Sequence, residues 1–244
     1  MTLTATKTVG ELAVEIPNAT RVFEKLKLDY CCGGNRPLAE ACAGAGVDVE
    51  MVIRLLQASA EADRQSGAAT DFQTMSLTTL MTYIVETHHV FTRQELERLS
   101  TLLDKVCSVH GQNHPELLAI KPLLQELGND LVPHMFKEEH VLFPYIERME
   151  AAVKSHRPLP PPPFGTVRNP VRMMMMEHDS AGDILRKMRE TSTDYTVPSD
   201  GCISYQTLYG ALEALEKDLH QHIHLENNIL FPRAVEMEAT PSVA

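Results

Sequence analysis

One histidine–glutamate pattern occurs twice in this chain, and it constrains the fold more than any other feature. Residues 134–144 read HMFKEEHVLFP and residues 222–232 read HIHLENNILFP. The histidine, the glutamate four residues later and the closing Leu-Phe-Pro therefore recur at an offset of 88 residues. A histidine and a glutamate four positions apart lie on one face of an α-helix. The repeat predicts two equivalent helices, each presenting an imidazole and a carboxylate side by side.

Each copy of the repeat follows another histidine at nearly the same distance. His89 precedes His134 by 45 residues, and His178 precedes His222 by 44 residues. Imidazole and carboxylate together suit ions such as iron and manganese, and the absence of cysteine from the repeat disfavours structural zinc and iron–sulfur clusters. With both glutamates bridging two metals, about one coordination position per metal stays open. The predicted metal ligands are His89, His134, Glu138, His178, His222 and Glu226.

The first of these positions has two candidates, His88 and His89. Position 89 keeps the spacing to Tyr83 and Leu96 that a buried helical stripe needs, so we prefer His89 as the ligand. His88 is then expected either behind the ligands or in solvent.

Acidic residues next to the ligands leave further alternatives open. Asp130 lies one helical turn before His134, and Glu177 directly precedes His178. Each either lines a channel, holds a ligand in place or is simply exposed. The other histidines near the repeat lie on different helix faces and are expected to face solvent, with a role behind the ligands as the alternative: His140, His220 and His224.

Composition and charge restrict the class of protein. Hydrophobic residues make up 43% and charged residues 23% of the 244 positions, as in globular proteins. No apolar run reaches membrane-spanning length, and the N-terminus lacks the apolar segment of a signal peptide, so we expect a cytoplasmic protein. A net charge of −11 disfavours nucleic-acid binding, and five cysteines do not make a disulfide framework.

Residues 1–65 are predicted to form a small N-terminal helical domain. Thr8 opens the capping-box pattern Thr-Val-Gly-Glu, and Asn18 should cap a second helix. Residues 31–35, Cys-Cys-Gly-Gly-Asn, predict a turn whose glycines are free to take positive φ. Residues 65–70 are predicted to be a linker.

Residues 71–239 are predicted to form a four-helix bundle, and the fold class is all-α. Four long helical stretches cover about 72–107, 122–153, 170–193 and 205–237. The proline-rich segment 157–163 cannot be helical and separates the second stretch from the third. Because each pair of stretches carries the same ligand set, we expect a bundle with internal pseudo-two-fold symmetry whose metal ligands point inward.

Five motifs, in order along nearly the whole chain, resemble the Repair of Iron Centres family. They are Asp-Tyr-Cys-Cys-Gly-Gly at 29–34, Tyr-Ile-Val-Glu-Thr-His-His at 83–89, the first repeat at 134–144, Glu-His-Asp-Ser-Ala-Gly at 177–182 and the second repeat at 222–232. Members of this family are hemerythrin-like di-iron proteins with a short N-terminal domain. The resemblance implies a hemerythrin-like four-helix bundle that binds two non-haem iron ions (Fe²⁺/Fe³⁺) with an oxo or hydroxo bridge, and it implies the same six ligands.

The resemblance also implies a function. Family members help to restore iron–sulfur clusters damaged by nitrosative or oxidative stress by supplying iron, so damaged iron–sulfur proteins are the expected partners. The alternative is a protein that binds or reduces nitric oxide, with nitric oxide or dioxygen as the small ligand. Cys31 and Cys32 are candidates for redox chemistry or iron transfer, with an unreactive turn as the other possibility. The resemblance leaves enzymatic activity and a homodimer open. No membrane partner is expected, because the sequence has no apolar run of membrane-spanning length.

Overall fold

The computed structural model describes residues 4–16, 18–66, 70–159 and 161–239, and almost all of their regular structure is helical. Three π-helical turns interrupt the α-helices, at Ile84–His89, Glu138–Leu142 and Glu226–Leu230. The α-helices are α1 (Val9–Glu15), α2 (Ala19–Leu26), α3 (Leu38–Ala45), α4 (Val49–Ser66), α5 (Leu77–Tyr83), α6 (Val90–His110), α7 (Pro115–Lys137), α8 (Phe143–Lys154), α9 (Arg168–Thr191), α10 (Ile203–Leu225) and α11 (Phe231–Ala239). None of these helices is long and apolar enough to cross a membrane.

The described residues form two compact units. The first comprises residues 4–80 and 220–239, and the second comprises residues 81–219. The predicted domains, 1–65 and 71–239, divide the chain at other points, and these limits stay a prediction. Of the predicted linker, residues 67–69 lie outside the described residues.

The second unit is built around a core to which four helices contribute. Apolar side chains of α6, α7, α9 and α10 meet in one buried cluster, which confirms the predicted all-α fold with a helical bundle. The second predicted stretch begins earlier than expected, at Pro115, because Pro122 lies inside α7. Large members of this core are Leu99, Leu103, Leu117, Ile120, Leu127, Leu185, Leu208 and Leu215.

The first unit contains the predicted helical N-terminal region. The Thr8 side chain accepts a hydrogen bond from the Glu11 N–H and the Glu11 carboxylate accepts one from the Thr8 N–H, so the capping box is confirmed. The prediction for Asn18 is wrong in its mechanism. Asn18 does precede α2, but its backbone is left-handed, with φ of 57°, and its side chain makes no capping bond. Pro17, before which the first helix was expected to stop, lies outside the described residues.

The connection between α8 and α9 agrees with the proline-rich prediction. Residues 157–159 and 161–162 form neither helix nor strand, and Pro160 lies outside the described residues. Helix α8 ends at Lys154, and α9 begins at Arg168.

Candidate metal centre

The second unit brings three predicted ligands into one buried group. One ligand atom each of His134, Glu138 and His178 lies within 4.8 Å of the others. The Nε2 atom of His134 is 3.1 Å from His178 Nε2 and 3.3 Å from Glu138 Oε2. A third imidazole reaches the same carboxylate, because His89 Nε2 is 3.4 Å from Glu138 Oε2. This unit therefore gathers three nitrogen donors around one carboxylate.

The carboxylate of Glu138 is the strongest sign that this group holds a cation. Glu138 is fully buried, and neither of its oxygens has a hydrogen-bond partner among the described residues. A buried carboxylate without hydrogen bonds costs several kcal/mol unless a positive charge compensates it. Imidazole nitrogens and a carboxylate oxygen are a donor set that suits iron and other first-row metals. The residues present therefore fit the metal that the sequence predicts.

Two carboxylates behind the ligands fix which imidazole nitrogen faces the group. Glu177 Oε2 lies 2.8 Å from His134 Nδ1, and Glu139 Oε1 lies 2.7 Å from His89 Nδ1. A carboxylate accepts a proton donor, so Nδ1 carries the hydrogen on both rings and the Nε2 lone pair is available to a metal. Both histidines are thus held in the tautomer that metal binding needs.

Basic residues complete these outer pairs. The Lys137 ammonium contacts Glu177, and the Arg93 guanidinium contacts Glu139. The hydrogen bond from His134, together with Lys137, lowers the pKa of Glu177 to about 2. Burial alone would raise the pKa of Glu139, but hydrogen bonds from Arg93 and His89 outweigh it and lower that pKa. Both carboxylates therefore stay charged at neutral pH and strengthen the donor character of the rings.

The first unit holds the remaining two predicted ligands. His222 lies in the last turn of α10, and Glu226 begins the π turn that follows. Both side chains are buried, and His222 Nε2 is 3.1 Å from Glu226 Oε1. The histidine–glutamate pair of the second repeat therefore meets on one helix face, as the spacing predicts.

The repeat extends to the backbone, because both glutamates begin a π turn. The Phe143 N–H donates to the Glu138 carbonyl, and the Phe231 N–H donates to the Glu226 carbonyl, five residues back in each case. The proline that ends each repeat follows these phenylalanines and has no N–H to continue the α-helical pattern. Such turns widen a helix by one residue and often occur at functional sites. The Leu-Phe-Pro ending was a signal for this feature that hydrophobic periodicity does not contain.

Comparison with known proteins identifies the family. Residues 80–234 match the family model described as the hemerythrin HHE cation binding domain, and residues 5–60 match ScdA_N, a domain of unknown function (DUF542). The iron-sulfur cluster repair protein YtfE of Yersinia pseudotuberculosis serotype IB (strain PB1/+) is 32% identical over 232 residues, which are 95% of this chain and 98% of that protein. YtfE of Yersinia pestis (strain Pestoides F) matches equally well. The chain belongs to the hemerythrin-like iron–sulfur cluster repair proteins.

In this member of the repair family, the histidine at position 88 pairs with an aspartate. His88 is buried, and its Nδ1 lies 3.0 Å from Asp218 Oδ1. The His89 side chain, in contrast, lies beside Glu138, with Nε2 3.4 Å from Oε2. The geometry within the second unit therefore favours His89 as the ligand. Asp130 is exposed, which was one of the three alternatives for this residue.

The three histidines expected in solvent have different surroundings. His140 is exposed and stacks on Phe136, as expected. His220 is half-buried and pairs with Glu24. The expectation for His224 is wrong, because this ring is buried and burial lowers its pKa to about 4. Its burial arises from tertiary packing, which cannot be predicted from its position on the helix relative to His222 and Glu226.

The cysteine pair of the N-terminal region lies in the predicted turn. Cys31 and Cys32 are not joined in a disulfide, and their Sγ atoms lie 3.9 Å apart. The hydrogen bond to Cys32 and burial raise the pKa of the Cys31 thiol well above its ordinary value. Gly33 and Gly34 do not use their freedom to take positive φ, since the glycines with positive φ among the described residues are at 46 and 165.

The turn needs glycine for space rather than for backbone angle. A Cβ on Gly34 would lie 2.8 Å from the Tyr30 carbonyl oxygen and 3.0 Å from Asn228 Oδ1. Two asparagines that follow Glu226 hold this turn: Asn227 Nδ2 donates to the Cys31 carbonyl at 3.3 Å, and Asn228 Nδ2 donates to the Tyr30 carbonyl at 2.9 Å.

Sequence reasoning missed these asparagines and Glu139. At the repeat offset, Asn227 stands where the first copy has Glu139, and Asn228 stands where it has His140. The positions at which the two copies differ, and not those they share, could have indicated these residues.

Proposed function

We propose that this protein repairs damaged iron–sulfur clusters by donating iron from a carboxylate-bridged pair of non-haem iron ions. The observation that carries the proposal is the buried Glu138 carboxylate, which has no hydrogen bond among the described residues and lies within 3.4 Å of two imidazole nitrogens. The relatives that cover nearly the whole chain are named for iron–sulfur cluster repair. We place this activity in the cytoplasm, as the sequence predicts, with damaged iron–sulfur proteins as clients.

The proposed ligand set combines both copies of the repeat. It consists of His89, His134, Glu138, His178, His222 and Glu226, with both glutamates bridging and with the oxo or hydroxo bridge that the resemblance implies. Support comes from the equal spacing of the two histidine–glutamate pairs, from the π turn at each glutamate and from the match to a cation-binding domain. When bound, the iron pair supplies open positions at which small molecules bind.

The chain's own residues explain why such iron can be both held and released. Neutral imidazoles and carboxylates bind ferrous iron without the thiolates that hold iron most firmly in clusters. The Nδ1–H groups of His134 and His89 stay fixed on Glu177 and Glu139, so the ligand geometry is retained while iron leaves. Because protonated imidazole cannot bind a metal, acid should loosen the iron.

Iron transfer to a damaged client tests the proposal. Iron-loaded protein is mixed anaerobically with a hydrolyase whose four-iron cluster has lost one iron, and the iron content and activity of the acceptor are followed. We expect wild-type protein to restore the acceptor and to lose iron in equal amount. Glu138→Leu should bind little iron and restore nothing. Glu126→Leu, an identical change at an exposed position of α7, is the matched control.

Four outcomes would count against the proposal or part of it. Wild-type protein that keeps its iron beside the damaged acceptor is a binding protein and not a donor. Catalytic consumption of nitric oxide with a reductant, without iron loss, would favour the alternative of a nitric oxide-reducing protein; stoichiometric, reversible nitric oxide binding would favour a carrier. Retention of two irons in both Glu138→Leu and Glu226→Leu would overturn the bridging assignment.

A further inference from the structure

We propose that Asp29, Cys31 and Cys32 form a second metal site, which binds one divalent cation that prefers thiolate ligands. A carboxylate oxygen of Asp29 and the two Sγ atoms lie within 4.8 Å of one another. All three residues belong to the turn between α2 and α3 of the first unit. None of them belongs to the histidine and glutamate set, so the site uses different donors and selects different metal chemistry.

Two of the three distances between the donor atoms match those around one tetrahedral metal ion, and the third lies within 4.8 Å. Metal–sulfur bonds of about 2.3 Å and metal–oxygen bonds of about 2.0 Å, at the tetrahedral angle, place two sulfurs about 3.8 Å apart and a sulfur about 3.5 Å from an oxygen. The Cys31 and Cys32 Sγ atoms are 3.9 Å apart. Cys31 Sγ is 3.5 Å from Asp29 Oδ1. Cys31 Sγ therefore needs little movement relative to either of the other two donors when a metal binds.

The backbone around the site is held in place from two directions. Asp29 Oδ1 accepts hydrogen bonds from the N–H groups of Cys31 at 3.2 Å and Cys32 at 3.0 Å. On the other side, Asn227 and Asn228 bind the carbonyls of Cys31 and Tyr30. A turn fixed in this way needs little ordering when the metal binds, which favours affinity.

The exposure of the three residues leaves an entrance for the cation. Asp29 is exposed and Cys32 is partly exposed, whereas Cys31 is buried. Three protein ligands leave the fourth tetrahedral position for water or for a ligand from an acceptor.

Binding replaces two S–H bonds by two metal–thiolate bonds and releases both protons to solvent, with no change of oxidation state. We assign ferrous iron as the cellular occupant, and this assignment alone rests on the proposed function.

Cobalt(II) is the probe, because its thiolate complexes have charge-transfer bands that histidine and carboxylate ligands do not produce. Iron-loaded full-length protein, kept reduced and anaerobic, is titrated with Co²⁺ while absorbance is recorded. We expect one Co²⁺ per chain in a thiolate environment. Cys31→Ser and Cys32→Ser should each abolish the thiolate spectrum. Asp29→Asn keeps an oxygen that accepts the two N–H groups but loses the charged ligand, so it should weaken binding about 10- to 100-fold.

Controls separate this site from the histidine and glutamate set. Cys107→Ser removes a thiol outside the turn and should leave the titration unchanged. Iron content is measured in the same samples, so loss of the cobalt signal with two irons retained identifies a failure of this site alone. In wild-type protein, one equivalent of Co²⁺ or Fe²⁺ should slow alkylation of Cys32 at least about tenfold, a readout that does not depend on any variant.

The proposal is overturned by either of two results. One is a wild-type protein with all five thiols reduced that shows no thiolate-to-cobalt band at stoichiometric metal. The other is a band that persists in both serine variants, which would place the bound cobalt elsewhere.

Discussion

At the scale of single residues, the outer carboxylates explain how neutral histidines are kept ready for a metal. Glu177 accepts the Nδ1–H of His134 and is itself held by Lys137. We predict that Glu177→Gln, which keeps an acceptor but loses the charge, weakens iron binding by about 10- to 100-fold. Competition with a ferrous chelator measures this. Glu190→Gln, at an exposed position of the same helix, should bind iron like wild type; equal affinity in both variants would contradict the role of Glu177.

A second residue-scale prediction concerns Cys202, an exposed thiol directly before α10. The Tyr205 N–H donates to Cys202, and His110 Nε2 lies 3.1 Å from its Sγ, which together lower the pKa of Cys202 to about 7. A lowered thiol pKa means that the thiolate is populated above about pH 7. Alkylation of Cys202 should therefore rise with pH with a midpoint near 7, measured by mass spectrometry. Cys107, whose pKa burial raises, is the internal control; a shared midpoint would contradict the prediction.

At the scale of elements, the π turns place the repeat glutamates in the wider part of a helix. Restoring an N–H with Pro144→Ala allows the α-helical hydrogen-bond pattern to continue through Glu138–Leu142. We predict fewer than two irons per chain in this variant, with its helix content unchanged by circular dichroism. Pro122→Ala, at a proline inside α7 and away from any π turn, should keep full iron. Full iron in both variants would show that the proline does not maintain the turn.

Two glycines within helices test the packing around the cysteine turn. A Cβ on Gly10 would lie 2.7 Å from Asn228 Oδ1 and 2.9 Å from the Gly34 carbonyl oxygen, whereas a Cβ on Gly210 would meet nothing within 4 Å. Gly10→Ala should therefore lower the free energy of unfolding by about 1–3 kcal/mol, because overpacking outweighs the gain in helix propensity. Gly210→Ala should raise it by about 0.5–1 kcal/mol. Urea unfolding of both variants measures this, and a stabilised Gly10→Ala would refute the close packing.

The elements also show which parts of the structure are readable from sequence. Helical periodicity and capping predict the long helices and the Thr8 cap, because both depend on neighbours within a few residues. The π turns escape this reasoning, since a shift from four to five residues in backbone bonding barely changes the hydrophobic pattern. The burial of His224 and the anchoring of Cys31 by Asn227 depend on partners far away in sequence, which neither periodicity nor repeat spacing contains.

At the scale of the whole molecule, one buried charge has two effects: it favours iron binding and it destabilises the metal-free protein. The Glu138 carboxylate is buried without a hydrogen bond among the described residues, so it costs stability unless a cation is present. Natural proteins tolerate such costs at functional sites, where the destabilising group is the one that function needs. Removing the charge should therefore have opposite effects on the metal-free and metal-loaded states.

We predict that metal-free Glu138→Leu is more stable than metal-free wild type by about 1–4 kcal/mol, because an apolar side chain replaces a buried charge. Ferrous iron at 100 times its dissociation constant should stabilise wild type by about 2.7 kcal/mol and the variant by nothing measurable. Anaerobic urea unfolding with and without iron tests both parts. Glu126→Leu controls for the added leucine and should respond to iron like wild type. A Glu138→Leu variant that is less stable than wild type without metal would mean that this carboxylate is satisfied by the protein alone and needs no cation.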